Sequence, residues 1–164
     1  MENVNKVLVA LAFSEYAQST FRFAAQFAQW AGAELIVGHV INQRDVESVQ
    51  TISALGYEVD GNHYIQNVKD ERQRELEAII AASDYPAEKV RSLFVVGNPI
   101  DELLKLILKE KIDVVVMGPK GRTDLEHILV GSVAEKIFRR SPATIISYRE
   151  DKVAQRLRNR IKHI

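Results

Sequence analysis

Short, continuously apolar runs alternate along this chain with longer stretches in which apolar residues recur every three or four positions. The first run lies within residues 4–12, with Val7-Leu8-Val9-Ala10-Leu11 as its unbroken part. Ser14 is placed to cap a following helix, in which Phe21, Ala24, Ala25, Ala28 and Ala31 share one face. Gly32 ends that helix, and residues 35–41 form a second strand. Residues 42–62 read less clearly: Val46, Val49 and Ile52 suggest a short helix, and Gly56 and Gly61 punctuate a connection. A long helix over 63–82 follows, its apolar face carried by Ile65, Val68, Leu76, Ile79 and Ile80. Residues 90–96 read as the third strand. Asn98-Pro99 then opens a helix with a capping side chain, a proline at its first position and Asp101 and Glu102 in its first turn. Residues 113–117 form the fourth strand and 144–148 the fifth, after a break at Ser141-Pro142.

Strands that are apolar on both faces and alternate with helices predict a parallel sheet covered on both sides, with right-handed crossovers. In such α/β sheets a ligand sits beyond the carboxyl ends of the strands. The loops that can share one are 12–14, 40–44, 97–99 and 118–132.

The last of these loops is the most specific. Gly118 and Gly121 directly follow the apolar run Val114-Val115-Val116-Met117, and Gly131-Ser132-Val133 leads into a helical pattern. Glycines permit positive φ and bring bare N–H groups close to a ligand. A helix N-terminus adds unpaired donors and the positive end of its dipole, so the spacing G-x2-G-x9-G-S predicts a phosphate site. Pro119 withdraws one donor from that cradle. Lys120 and Arg122 either add charge against a triphosphate or remain solvated loop residues. Ser132 offers a hydroxyl at the helix start, as a cap or to the phosphate.

At these loops the sequence resembles the universal stress protein family, from Lys6 to Arg149. The likeness is carried by the opening strand with Ser14-Glu15, by Gly38-His39-Val40-Ile41, by Val96-Gly97-Asn98-Pro99, and by Met117-Gly118 through Gly121 to Gly131-Ser132. It implies a flavodoxin-like, Rossmann-like doubly wound five-stranded sheet in the order 3-2-1-4-5. It also implies a homodimer formed through the last strand, residues 144–148. Members with this glycine pattern bind ATP or a related adenine nucleotide, and the resemblance places the chain with them. Carried over by position, Gly118, Gly121, Gly131 and Ser132 hold the phosphates, flanked by Met117, Lys120, Arg122 and Val133. Val40 meets adenine through its backbone, and Pro99 borders the ribose; magnesium has room beside the phosphates. One departure stands out. The family's nucleotide binders usually have Asp-Gly before the serine matched by Ser14, and here the pair is Ala12-Phe13. A lost hydrogen bond to a charged group is worth about 1.5–3 kcal/mol. Phe13 either packs on the ribose or base, or plugs the cleft.

Composition narrows the remaining choices. At 164 residues with 22 basic and 22 acidic side chains, charge balance gives no sign of a nucleic-acid surface. There is no cysteine, and His39, His63, His127 and His163 lack ligand spacing. No run approaches the roughly 20 apolar residues of a membrane span, so a cytoplasmic protein is expected. Residues 1–150 are expected to form the stress-protein domain, and 151–164 a basic amphipathic helical extension. In that extension Val153, Leu157, Ile161 and Ile164 line one side, among Lys152, Arg156, Arg158, Arg160 and Lys162. Such a helix packs on its own domain or dimer mate, docks a partner protein, or adheres to an anionic surface. There is no G-x4-G-K-[ST] loop and no evident carboxylate pair for magnesium, so an enzyme is the lesser reading, at most a slow ATPase. A nucleotide-binding regulatory dimer leads, with a nucleotide-free dimeric scaffold as the alternative.

Overall fold

The computed structural model describes residues 3–56, 60–119 and 130–161. Five parallel strands form one sheet in the order β3-β2-β1-β4-β5. They are β1 (Lys6–Ala10), β2 (Glu34–Asn42), β3 (Val90–Gly97), β4 (Val114–Met117) and β5 (Thr144–Ser147). The flanking helices are α1 (Ala17–Ala31), α2 (Gln43–Ala54), α3 (Gly61–Ala81), α4 (Pro99–Glu110), α5 (Ser132–Arg140) and α6 (Asp151–Ile161). This is the α/β architecture expected from the alternating runs.

The central strands explain the apolar runs. Val7, Leu8 and Val9 of β1 and Leu35, Ile36 and Val37 of β2 are fully buried. Successive side chains point to opposite faces, so one strand feeds two cores. Val7, Val9, Leu35, Val37, Val114 and Val116 meet α1 and α3 through Phe21, Ala24, Ala28 and Leu76. Leu8, Ile36 and Val115 face the other way, toward Leu103 and Ile107 of α4 and Ile137 of α5. Each fully buried Leu, Ile or Phe contributes about 1.5–3 kcal/mol of transfer free energy. The edge strands β3 and β5 are only half-buried, so continuous burial holds for the three inner strands alone.

Local signals hold at several helix ends. Asn98 Oδ1 accepts from the N–H of Ile100 (3.0 Å) and Asp101 (3.3 Å), with Pro99 as the first helical residue. Gly32 closes α1 in the left-handed region at φ 65°. The segment after β2 is more regular than its sequence pattern suggests: α2 runs for 12 residues, capped by Asn42, whose Oδ1 accepts from Arg44 N–H at 3.1 Å. Only Val46 of α2 is buried, so a weak apolar stripe accompanies a real helix. Ser14 does not cap α1. Its carbonyl instead closes a turn with Ala17 N–H (3.0 Å), and the helix begins after Tyr16 without a side-chain cap. The cause lies one residue earlier, at Phe13, whose φ of 50° turns the chain before the helix can start.

Candidate functional site

The sheet opens where two neighbouring strands part. β1 pairs with β2 only as far as Ala10 beside Gly38, and Leu11 N–H makes a last bond to Gly38 C=O at 3.0 Å. β2 continues to Asn42, now paired with β3 alone. β1 is the point at which the strand order reverses, the position where open α/β sheets hold ligands. A cleft of about 790 Å³ occupies the gap.

Alternation along β2 sets what faces that cleft. Gly38 directs its carbonyl toward β1, so Val40, two residues on, directs its N–H and C=O the same way, where β1 has already left. Val40 thus turns a donor and an acceptor away from β3 to the side that β1 has left, and it lines the cleft together with Ala12, Pro99, Met117, Gly118, Gly131, Ser132 and Val133. These eight positions, read separately from sequence, border one space. Lys120, Gly121 and Arg122 lie outside the described residues.

The glycine corner differs in detail from its sequence reading. Gly131 N–H donates to Pro119 C=O at 2.7 Å, drawing the two ends of the intervening loop together. Its amide is therefore committed and is not free to meet a ligand. Its φ of −70° is also not left-handed; among the described glycines only Gly32 and Gly56 have positive φ. Gly131 is the N-cap of α5, with no side-chain capping bond, and Ser132 is the first helical residue rather than the cap. The N–H groups of Ser132, Val133 and Ala134 accordingly have no intrahelical acceptor and point out of the helix start. Unpaired N–H groups at a helix start favour anions in general, and these three residues line the cleft.

Phe13 neither packs into the cleft nor plugs it. Its left-handed backbone sends the ring beneath the sheet's opening. There it meets His39 edge-on (4.9 Å between centroids) and Phe94 (6.3 Å), with the Arg72 guanidinium 5.4 Å above its face. A cation over an aromatic face is worth about 0.5–2 kcal/mol, the larger value when desolvated. Arg72 is buried, pairs with Glu75 at 2.6 Å, and leaves its Nε without a hydrogen-bond partner. His39 is a core histidine whose Nδ1 lies 2.8 Å from Leu11 C=O. The step from Ala12 to Phe13 therefore leaves the cleft open and only removes a carboxylate from its wall.

Other lining groups gave no warning in the sequence. Tyr16 is the N-cap of α1 and Thr20 lies in it; Asp45 and Ser48 come from α2, and Tyr64 from α3. Asp45 and Ser48 share a face by their three-residue spacing, which becomes visible only once residues 43–54 are known to be helical. Nothing near Tyr64 in the sequence marks it. Asp101 and Glu102 are occupied elsewhere: Asp101 lies 3.6 Å from Arg140 and Glu102 2.6 Å from Lys105. Away from the cleft, beside a smaller cavity, Tyr148 has its phenol raised above the usual value, by burial first and then by the carboxylates of Asp151 and Glu150.

The comparisons with known proteins agree with this geometry. The model of the universal stress protein family matches residues 3–149. Universal stress protein MJ0577 of Methanocaldococcus jannaschii is 28% identical over 149 residues, covering 86% of this chain and 92% of that protein. The solved structure of MJ0577 superimposes with a TM-score of 0.72 over 90% of this chain and 98% of that one. A universal stress protein crystallised in complex with cAMP shares the fold at a TM-score of 0.61 and 21% identity, over 90% of this chain and 98% of its own. With the strand order, the switch-point cleft and a family match across nearly all of its length, the chain belongs to the universal stress protein family.

Proposed function

We propose that this chain binds an adenine nucleotide in the switch-point cleft and works as a nucleotide-responsive regulatory dimer in the stress response. One observation carries the reading. Val40, whose main chain has no partner in β1, and Ser132, Val133 and Ala134, whose N–H groups have no intrahelical acceptor, line one cleft of about 790 Å³. The first can read the edge of a base, and the second can hold a phosphate. A fold neighbour crystallised with cAMP supports adenylates as the ligand class.

In this reading Gly118 and Gly131 let phosphate approach the backbone and Pro99 borders the ribose; the sequence assigns Lys120, Gly121 and Arg122 to the same phosphate loop. Ala12 lacks the carboxylate usual in nucleotide-binding relatives. Asp45, Ser48 and Tyr64 offer replacement polar groups from the opposite wall. The dimer forms through β5, an edge strand with Ile145 and Ile146 half-buried and one side of its ladder open. Among the described residues no helix is long and apolar enough to cross a membrane; we assign the protein to the cytoplasm. Hydrolysis, where it occurs, is slow, because the sequence carries neither a G-x4-G-K-[ST] loop nor an evident carboxylate pair for magnesium.

Calorimetric titration with ATP, ADP, AMP and cAMP tests the assignment. Saturable binding of at least one adenylate is expected. No heat at millimolar nucleotide would leave the scaffold reading in its place. Gel filtration tests the dimer, which a monomer at micromolar concentration would overturn.

A further inference from the structure

The helix α6 begins at Asp151, beyond the last residue matched by the family model. It covers a second, smaller cavity of about 130 Å³, walled by Tyr16 at the start of α1, Thr20 within it, by Pro119, and by Arg149, Arg156 and Arg160. Two features tie this cavity to the cleft. Tyr16 and Thr20 line both spaces. Pro119 is the neighbour of Gly118 and the acceptor of the Gly131 N–H, so the small cavity abuts the neck of the phosphate loop.

Packing alone accounts for only part of this arrangement. Val153, Ala154 and Leu157 are the half-buried residues of α6, and Val153 and Leu157 line the cavity. Arg156 and Arg160, one helical turn apart, reach the cavity as well, and Arg149 approaches from the end of β5. Glu150 is the one carboxylate in the lining. None of the three arginines forms an ion pair among the described residues. Three guanidinium groups against one carboxylate leave a net positive recess beside the place where a bound phosphate would sit. Arginine is suited to that task, because its planar fork takes two phosphate oxygens at once and stays charged at every relevant pH.

We propose that α6 supplies a polyphosphate clasp, in which Arg156 and Arg160, supported by Arg149, hold the phosphates beyond the first. The clasp makes the protein select triphosphates over monophosphates. The proposal rests on the nucleotide reading of the cleft and adds a specificity that the family core does not carry.

The test compares ATP, AMP and inorganic tripolyphosphate as ligands of the full chain and of the double variant Arg156→Gln/Arg160→Gln. Circular dichroism and gel filtration verify that both proteins keep the same fold and size. Loss of the clasp should weaken ATP about tenfold or more while AMP changes by less than about twofold. Lys152→Gln/Arg158→Gln, which removes equal charge from outside the cavity, should leave ATP affinity within about twofold, since diffuse attraction is screened by salt. Equal losses for ATP and AMP, equal losses in both double variants, or no loss in either would overturn the clasp. Absence of AMP and ATP binding by the unmodified chain would instead overturn the nucleotide reading. Tripolyphosphate binding that still depends on Arg156 and Arg160 would then keep the clasp as a polyphosphate site.

Discussion

The two ends of the sheet are built on opposite principles. At the amino ends of the strands, polar groups are matched to partners on the chain. Asp113 Oδ2 accepts the N–H groups of Asn5 (2.8 Å) and Lys6 (2.9 Å), fixing the start of β1 beside β4. Arg91, at the start of β3, bridges Glu34 (2.8 Å) and Glu110 (2.7 Å), and Lys6 lies 3.9 Å from Glu34. At the carboxyl ends the main chain of Val40 has lost its neighbour, and α5 starts without a side-chain cap. β1 and β4 therefore close at one end and stay open at the other, whereas Asn42 and Asn98 cap the helices that follow β2 and β3. In a parallel sheet each strand feeds a helix N-terminus at its carboxyl end, so unsatisfied N–H groups gather there. Stability and ligand binding should consequently respond to different residues.

Removing Asp113 should break the closed end most severely. Asp113→Ala strips the acceptor from two backbone N–H groups, and the expected loss is about 2 kcal/mol, softened by partial exposure. Urea unfolding measures it, and adenylate affinity of the folded fraction should not move. The reciprocal change is Gly131→Val. The φ of −70° and ψ of 152° at this position suit a β-branched residue, so folding should be little affected. A side chain at the mouth of the α5 amides should still weaken adenylate binding about tenfold or more. Retained affinity would dismiss the cradle.

Two smaller effects sharpen the contrast. Hydrogen bonding to Arg91 holds the Glu110 carboxyl below its ordinary range. A depressed carboxyl stabilises the fold above its unfolded pKa, and that contribution disappears as pH falls through the folded value. Glu110→Gln should therefore lower the melting temperature at neutral pH, and the gap should close as pH falls through the depressed range of the folded carboxyl. A gap that widens in acid would contradict the pairing. Asp45→Ala should weaken adenylate binding only a few-fold, as expected for an exposed polar group on the cleft wall. An unchanged titration would remove Asp45 from the site.

Legibility in the sequence follows the same division. The inner strands were readable because Val7 to Val9, Leu35 to Val37 and Val114 to Val116 are buried without interruption. Their spatial order came with the family resemblance, since periodicity says nothing about which strands are neighbours. The helix at 43–54 was hard to read because only Val46 is buried, and Asp45 and Ser48 were missed with it. The role of Asp113 depends on a partner more than 100 residues away, beyond any local pattern. The direction of the Phe13 ring hangs on a single positive φ that a bulky residue rarely adopts, and no sequence rule anticipates it. The glycine corner was found by its spacing, but not the division of labour within it. Only the structure separates the committed amide of Gly131 from the open ones after it.

The most direct measurement is an amide-resolved NMR titration of the full chain with ATP. The largest shifts should fall on Val40, Ser132, Val133 and Ala134, with Asn5 and Lys6 at the closed end unmoved. Shifts concentrated at the amino ends of the strands, or none at saturating nucleotide, would contradict the placement of the site.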